Sequence, residues 1–154
     1  MQKIVYEGGF DLLPRMVGRA ALFQAYTSVF GSLGLALGYI HAPPGLGFLS
    51  ETKAAPMAIA AFSVGFFFTV KNVNSRLVSK MTVDEKESTV KIETISSVSK
   101  KDPSITVPLR ELEASPFAPF ATQLIRARGK TMMVNHRGGK HSDVLFFSSL
   151  GKNR

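Results

Sequence analysis

Residues 20–40 read AALFQAYTSVFGSLGLALGYI, and residues 54–70 read AAPMAIAAFSVGFFFTV. Neither stretch holds an Asp, Glu, Lys or Arg across its 21 and 17 residues. A charge at mid-bilayer costs roughly 2.5–3.5 kcal/mol, so charge-free apolar runs of this length predict two membrane spans. The first would be about 31 Å long at about 1.5 Å per residue, close to the thickness of the hydrocarbon core. The second is shorter, but Lys53 and Lys71 bracket it and can snorkel outward, and Pro56 falls in its first turn, where a missing N–H is harmless. Between them, Ala42-Pro43-Pro44-Gly45 cannot continue a helix.

The expected fold is a membrane α+β protein: a two-helix transmembrane hairpin followed by a small antiparallel β-rich domain, which the resemblance given below would place in the matrix. Residues 1–19 form a short polar lead, residues 20–71 the hairpin, and residues 72–154 a basic β-rich domain. In the first span Gly31, Gly34 and Gly38 mark a face on which a second helix can approach closely, and Ser28 with Ser32 forms another small-xxx-small pair. Gln24, Tyr26, Thr27, Ser28, Ser32, Ser63 and Thr69 are the polar residues of the spans. None is charged, so no ion path is expected through the hairpin.

The tail reads as short strands. Residues 77–83 and 89–96 are rich in β-branched residues and flank a charged turn, Asp84-Glu85-Lys86-Glu87-Ser88, which predicts a hairpin. In the first, Leu77, Ser79, Met81 and Val83 share a face; in the second, Val90, Ile92 and Thr94 do. Residues 97–104 are loop, and residues 105–109 are a strand that Pro108 places at an edge or an end. Residues 115–120 are an irregular apolar stretch. Residues 122–128 and 131–135 predict a second hairpin about Gly129-Lys130, Gly138-Gly139 a turn, and residues 143–147 a last strand.

The net charge is +8, and residues 72–154 carry 14 Lys and Arg against 8 Asp and Glu. Such a balance suits an anionic membrane surface, nucleic acid or an acidic partner. Lys3, Arg15 and Arg19 precede the first span, and Lys71, Arg76, Lys80 and Lys86 follow the second, whereas the connector has only Lys53. The positive-inside bias therefore predicts both termini on one side, cytosol or matrix. Residues 1–19 contain Glu7 and Asp11 and lack an apolar core, which fits neither a secretory signal nor a mitochondrial presequence. Targeting is expected to come from the hairpin itself or from a presequence already removed.

Chemistry is sparsely signalled. The chain has no cysteine, which excludes disulfides, thiolate metal sites and Cys nucleophiles. His136 and His141 are five apart across two glycines, and His41 lies at the far end of the first span; no metal or acid–base role is assigned to them. Glu111 and Glu113 flank Leu112 and do not share a helical face. There is no nucleophile elbow, phosphate loop or dinucleotide fingerprint. No catalytic residue, metal or cofactor is expected. Arg126, Arg128 and Lys130, followed by Arg137 and Lys140, are candidates for contact with lipid phosphates or a partner. Nucleic acid is not the expected partner, because the nearby aromatics Phe146 and Phe147 are adjacent and do not make a stacking platform.

The order of parts resembles the mitochondrial two-helix family that includes transmembrane proteins 70, 186 and 223, and the tail is most similar to the transmembrane protein 223 type. The carrying residues are Val5-Tyr6-Glu7-Gly8 in the lead, Val107-Pro108-Leu109-Arg110, Arg128-Gly129-Lys130 opening a strand, and Gly139, His141 and Leu145-Phe146 near the end. Where an aromatic-rich strand would follow Gly129-Lys130, this chain has Thr131-Met132-Met133-Val134. The resemblance implies an inner-membrane protein with both ends in the matrix. It would be a non-catalytic accessory subunit or assembly factor of a respiratory-chain complex, cytochrome c oxidase first, complex I or ATP synthase next. Its partners would be the other subunits of that complex and anionic lipids, cardiolipin among them. The competing class is a membrane-tethered module that binds RNA or the mitochondrial ribosome.

Overall fold

The computed structural model describes residues 2–9, 12–42, 44–47, 49, 54–99, 101–115, 122–136 and 139–150. Strand β1 (Gln2–Gly8) comes first, and helices α1 (Leu12–Ala36) and α2 (Ala54–Asn74) follow it. Then come β2 (Val78–Asp84), β3 (Thr89–Thr94) and β4 (Ser104–Pro108), a 3-10 turn (Leu109–Glu111), and β5 (Glu113–Ala114). Strands β6 (Thr122–Ala127), β7 (Lys130–Asn135) and β8 (Gly139–Ser142) lead to a short helix, α3 (Val144–Leu150). The strands form two antiparallel sheets, ordered β4-β3-β2-β1-β8 and β5-β6-β7.

The expected two-helix transmembrane hairpin followed by a β domain is corrected on three points. The sheet starts before the helices: the N-terminal lead is β1, which sits between β2 and β8. The helices are thus an insertion between two neighbouring strands of one sheet. Among the described residues only Ala54–Asn74 is long and apolar enough to cross a membrane. Helix α1 has the length, but it begins at Leu12 and so carries Arg15 and Arg19, five polar residues dilute its middle, and it stops at Ala36 before Leu37 and Ile40. The last predicted strand, finally, is α3. Asp143 caps it, its carboxylate accepting the Phe146 N–H at 3.1 Å and its carbonyl the Phe147 N–H at 3.2 Å.

The core lies between the two sheets. Met81, Val90, Ile92 and Val107 point inward from the large sheet, Ile125, Met132 and Val134 from the small one, and Phe147 of α3 closes the end; all are essentially inaccessible. Each such side chain contributes about 1.5–3 kcal/mol by leaving water. In β1 both Val5 and Tyr6 are buried, because a bulge between Ile4 and Tyr6 turns two successive side chains inward. Leu77 and Met133 form a parallel bridge that joins the sheets, and the Met133 N–H donates to the Arg76 carbonyl at 2.7 Å.

The two predicted hairpins are present as β2–β3 and β6–β7, and β4 is an edge strand ending at Pro108. The second turn is centred one residue earlier than expected, on Arg128-Gly129, with φ of 48° and 74°. Positive φ at both central residues is the requirement of a two-residue type I′ turn. Gly139 opens β8. Pro43, Lys53, Arg137, Gly138 and the apolar stretch at 116–120 lie outside the described residues.

Candidate functional site

The helix pair and the sheet end on which it stands are the features that packing alone does not explain. The two helices meet along a narrow seam. On α1 the buried residues are Gly18, Ala21, Ala25 and Ser32, spaced as one helical stripe; on α2 they are Pro56, Ser63 and Asn74. Ser32 Oγ donates to the Pro56 carbonyl at 2.7 Å, and Ser63 Oγ lies 3.0 Å from Ser28 Oγ. The Ser28–Ser32 pair thus sits in the contact. The candidate packing glycines lie elsewhere. A methyl group at Gly31 would meet nothing within 4 Å, one at Gly34 would meet Ile40 of the following turn, and Gly38 lies beyond the helix at φ +75°.

Outside the seam the helices are apolar and uncovered. Phe23, Tyr26, Phe30 and Leu33 on α1 and Met57, Ile59, Phe62 and Phe68 on α2 are exposed. A core helix of a water-soluble fold can match α2 in length and composition, but only 17 % of its apolar window is buried by this chain. Gln24 is exposed as well, among these apolar side chains.

A polar cluster fixes the pair to the sheets. Arg15 Nη2 donates to Asp102 Oδ2 at 2.5 Å, which Ser79 Oγ also reaches at 2.9 Å, while the Ser96 N–H donates to Asp102 Oδ1 at 3.2 Å. Burial alone would raise the Asp102 carboxyl, but these donors outweigh it and hold the group below the ordinary Asp range. Asn74, the last residue of α2, donates to the Pro14 carbonyl and to Ser97 Oγ, both at 2.8 Å. Ser97 in turn presses on Gly18, where an added Cβ would stand 2.7 Å from Ser97 Cβ. Sequence reading missed this cluster. Its members are scattered from Pro14 to Asp102, and no local pattern brings them together.

Arg126, Arg128 and Lys130 are all exposed at the β6–β7 turn. Arg126 is the register partner of Glu113 on β5, and Arg128 occupies the first turn position. Lys140 on β8 lies 4.0 Å from Glu7.

His136 is built into the fold. Its Nε2 faces Gln123 Oε1 at 3.1 Å and its Nδ1 faces Ser142 Oγ at 2.6 Å. An amide oxygen only accepts, so Nε2 carries the proton and Nδ1 accepts from Ser142. Tyr6 and Phe147 pack edge-on against the ring, and burial pushes its pKa down. His141 and His41 are exposed. Among the described residues no three His, Asp or Glu side chains converge as a metal site would require. A scan against models of known protein families finds no match to this chain, and a search among curated proteins finds none either.

Proposed function

We propose that the protein is a non-catalytic binding module that serves a mitochondrial inner-membrane respiratory complex, as an accessory subunit or assembly factor, with cytochrome c oxidase the first candidate. The observation that carries the membrane part is the helix pair: apart from its narrow seam of small and hydroxyl residues, its Phe, Leu, Ile and Met side chains are exposed on both helices. Contiguous apolar surface of this kind marks contact with lipid or with an apolar partner. A tightly packed β-module then presents its polar faces beside the membrane, which is the division of labour of a docking subunit. The choice of compartment and complex rests on the family resemblance and on the basic residues at the helix ends, which suit the matrix side.

Two fractionations test the reading. Alkaline extraction of mitochondria should leave the full-length chain in the membrane pellet. Blue-native electrophoresis of mild-detergent membranes should show it comigrating with a respiratory complex or an assembly intermediate. Release into the supernatant sinks the membrane part, and migration as a lone small species sinks the docking role.

A further inference from the structure

We propose that the β6–β7 turn is an anionic-headgroup contact, which docks the sheet end against the surface of the membrane that helix α2 enters; it rests on the membrane reading above. The placement follows from strand register. Helix α2 ends at Asn74 and β2 leads away from it, so Leu77 marks the helix-proximal end of the large sheet. Strand β7 runs parallel to β2 at the Leu77–Met133 bridge, and the Met133 N–H bonds to Arg76. The residues before Met133 therefore lie on the helix side of Leu77. At about 3.3 Å per residue, Lys130 stands about 10 Å toward the helices and the turn reaches further.

Arg126, Arg128 and Lys130 gather at this turn, with exposed Lys71 in the last turn of α2. The acidic turn Asp84-Glu85-Lys86-Glu87 closes β2 and β3 at the opposite end of the sheet. Three cations at one turn suit a negative bilayer surface; the carboxylate beside them is Glu113, in register with Arg126. On the outer face of the small sheet, Leu124 and Met133 are directly paired and exposed next to Arg126, giving apolar contact at the headgroup boundary. Among the described residues that face offers Glu113, Leu124, Arg126, Thr131 and Met133 but no aromatic side chain on which a base could stack, which favours lipid over RNA. Arg128 adds a second line of support. It is held at φ 48°, where glycine or asparagine is ordinarily found, so a cation occupies the turn at a conformational cost.

The test uses the full-length chain, which has no cysteine of its own. Thr131→Cys, at an exposed site, is labelled with an environment-sensitive fluorophore and reconstituted into nanodiscs of phosphatidylcholine, alone or mixed equally with phosphatidylglycerol. The emission should shift to the blue in the mixed discs only. The shift should be lost at about 1 M salt, where the screening length is about 3 Å. Surface occupancy should fall roughly fivefold for each of Arg126→Gln, Arg128→Asn and Lys130→Gln. Equal emission in both discs, or a shift that survives salt or the triple variant, overturns the proposal. So does a shift produced in neutral discs by single-stranded RNA, which would make nucleic acid the occupant. A parallel label at Phe62→Cys on α2, read with lipid-borne quenchers, separates the two readings. Quenching of the helix label with no response at the turn ends the headgroup contact and leaves the membrane reading standing; no quenching of the helix label ends both.

Discussion

Among single residues, glycine spacing was legible, but the seam within this chain lies on another face. Gly31, Gly34 and Gly38 fit a packing face by separation, but separation carries no information about which side meets a neighbour. The glycine that permits close approach is Gly18, against Ser97. Gly18→Ala would bring Cβ within 2.9 Å of the Ser97 Cα, a backbone atom that cannot swing aside. We expect a loss of about 1–3 kcal/mol. Gly31→Ala meets open space and should be neutral or stabilising by up to about 1 kcal/mol through helix propensity. Denaturant unfolding of both in one detergent checks this, and equal stabilities would refute the seam. The histidines diverge in the same way. His136→Ala would leave the amide of Gln123, only 2 % exposed, without its ring partner, at about 1–3 kcal/mol, whereas the exposed His141→Ala should stay within about 0.5 kcal/mol. Because burial lowers the His136 pKa, the unfolded chain takes up the proton first as pH falls. Stability from the neutral ring is complete above about 6.5 and declines as pH drops from there through the lower folded value, a dependence His136→Ala should flatten. At the β6–β7 turn, Arg128→Asn should raise stability by about 1 kcal/mol while weakening the response to anionic lipid, because asparagine tolerates positive φ.

Elements were readable where a single period ran unbroken. From Lys80 to Asp84 β2 alternates cleanly against β3, with Met81 and Val83 opposite Ile92 and Val90, so the hairpin and most of its buried face could be read from the chain; a bulge at Val78–Lys80 buries Val78 as well as Ser79 and sets Val78, not Ser79, opposite Thr94. Strand β1 hid because its bulge places Val5 and Tyr6 on the same side and destroys the alternation. Helix α3 hid because Leu145-Phe146-Phe147 suits a strand equally well, and the deciding signal is the Asp143 cap. The start of α1 was misplaced for an electrostatic reason. Arg15 looked like a membrane flank, but its partner Asp102 lies 87 residues away in sequence. The Arg15–Asp102 contact also sets an acid sensitivity. The Asp102 carboxyl is held below its ordinary value, so its contribution is complete above about 3.9 and is lost as pH falls through the folded pKa. Hydrogen exchange of Leu12–Arg19 and residues 95–103 should accelerate in that acid window, ahead of the sheet core. In Asp102→Asn the same segments should exchange faster already at neutral pH, with little further change on acidification. Uniform protection in both proteins would show that the cluster does not clamp the helices.

For the molecule as a whole, the sheet pairing and the Lys and Arg that follow α2 lead separately to one topological expectation. The charge bias puts the two ends of the chain on the same side of a membrane. Pairing gives the same expectation for the two flanks of the insertion, whatever membrane the helices meet. Strand β1 precedes the helices, β2 follows them, and Gln2 faces Asp84 across the ladder, so the chain must leave and rejoin a single sheet. The depth the helix pair reaches does not alter this, because a sheet cannot be divided by a bilayer without orphaning its backbone donors and acceptors. Gln2→Cys and Glu87→Cys, both at exposed positions in a chain without other thiols, report on the two sides of the insertion. In sealed vesicles a membrane-impermeant maleimide should label both or neither, and detergent should then expose both equally. Labelling of one and not the other would mean that β1 and β2 are separated by the membrane. The shared sheet would then be wrong, and with it the view of the helices as an insertion anchored at both ends in one β-module.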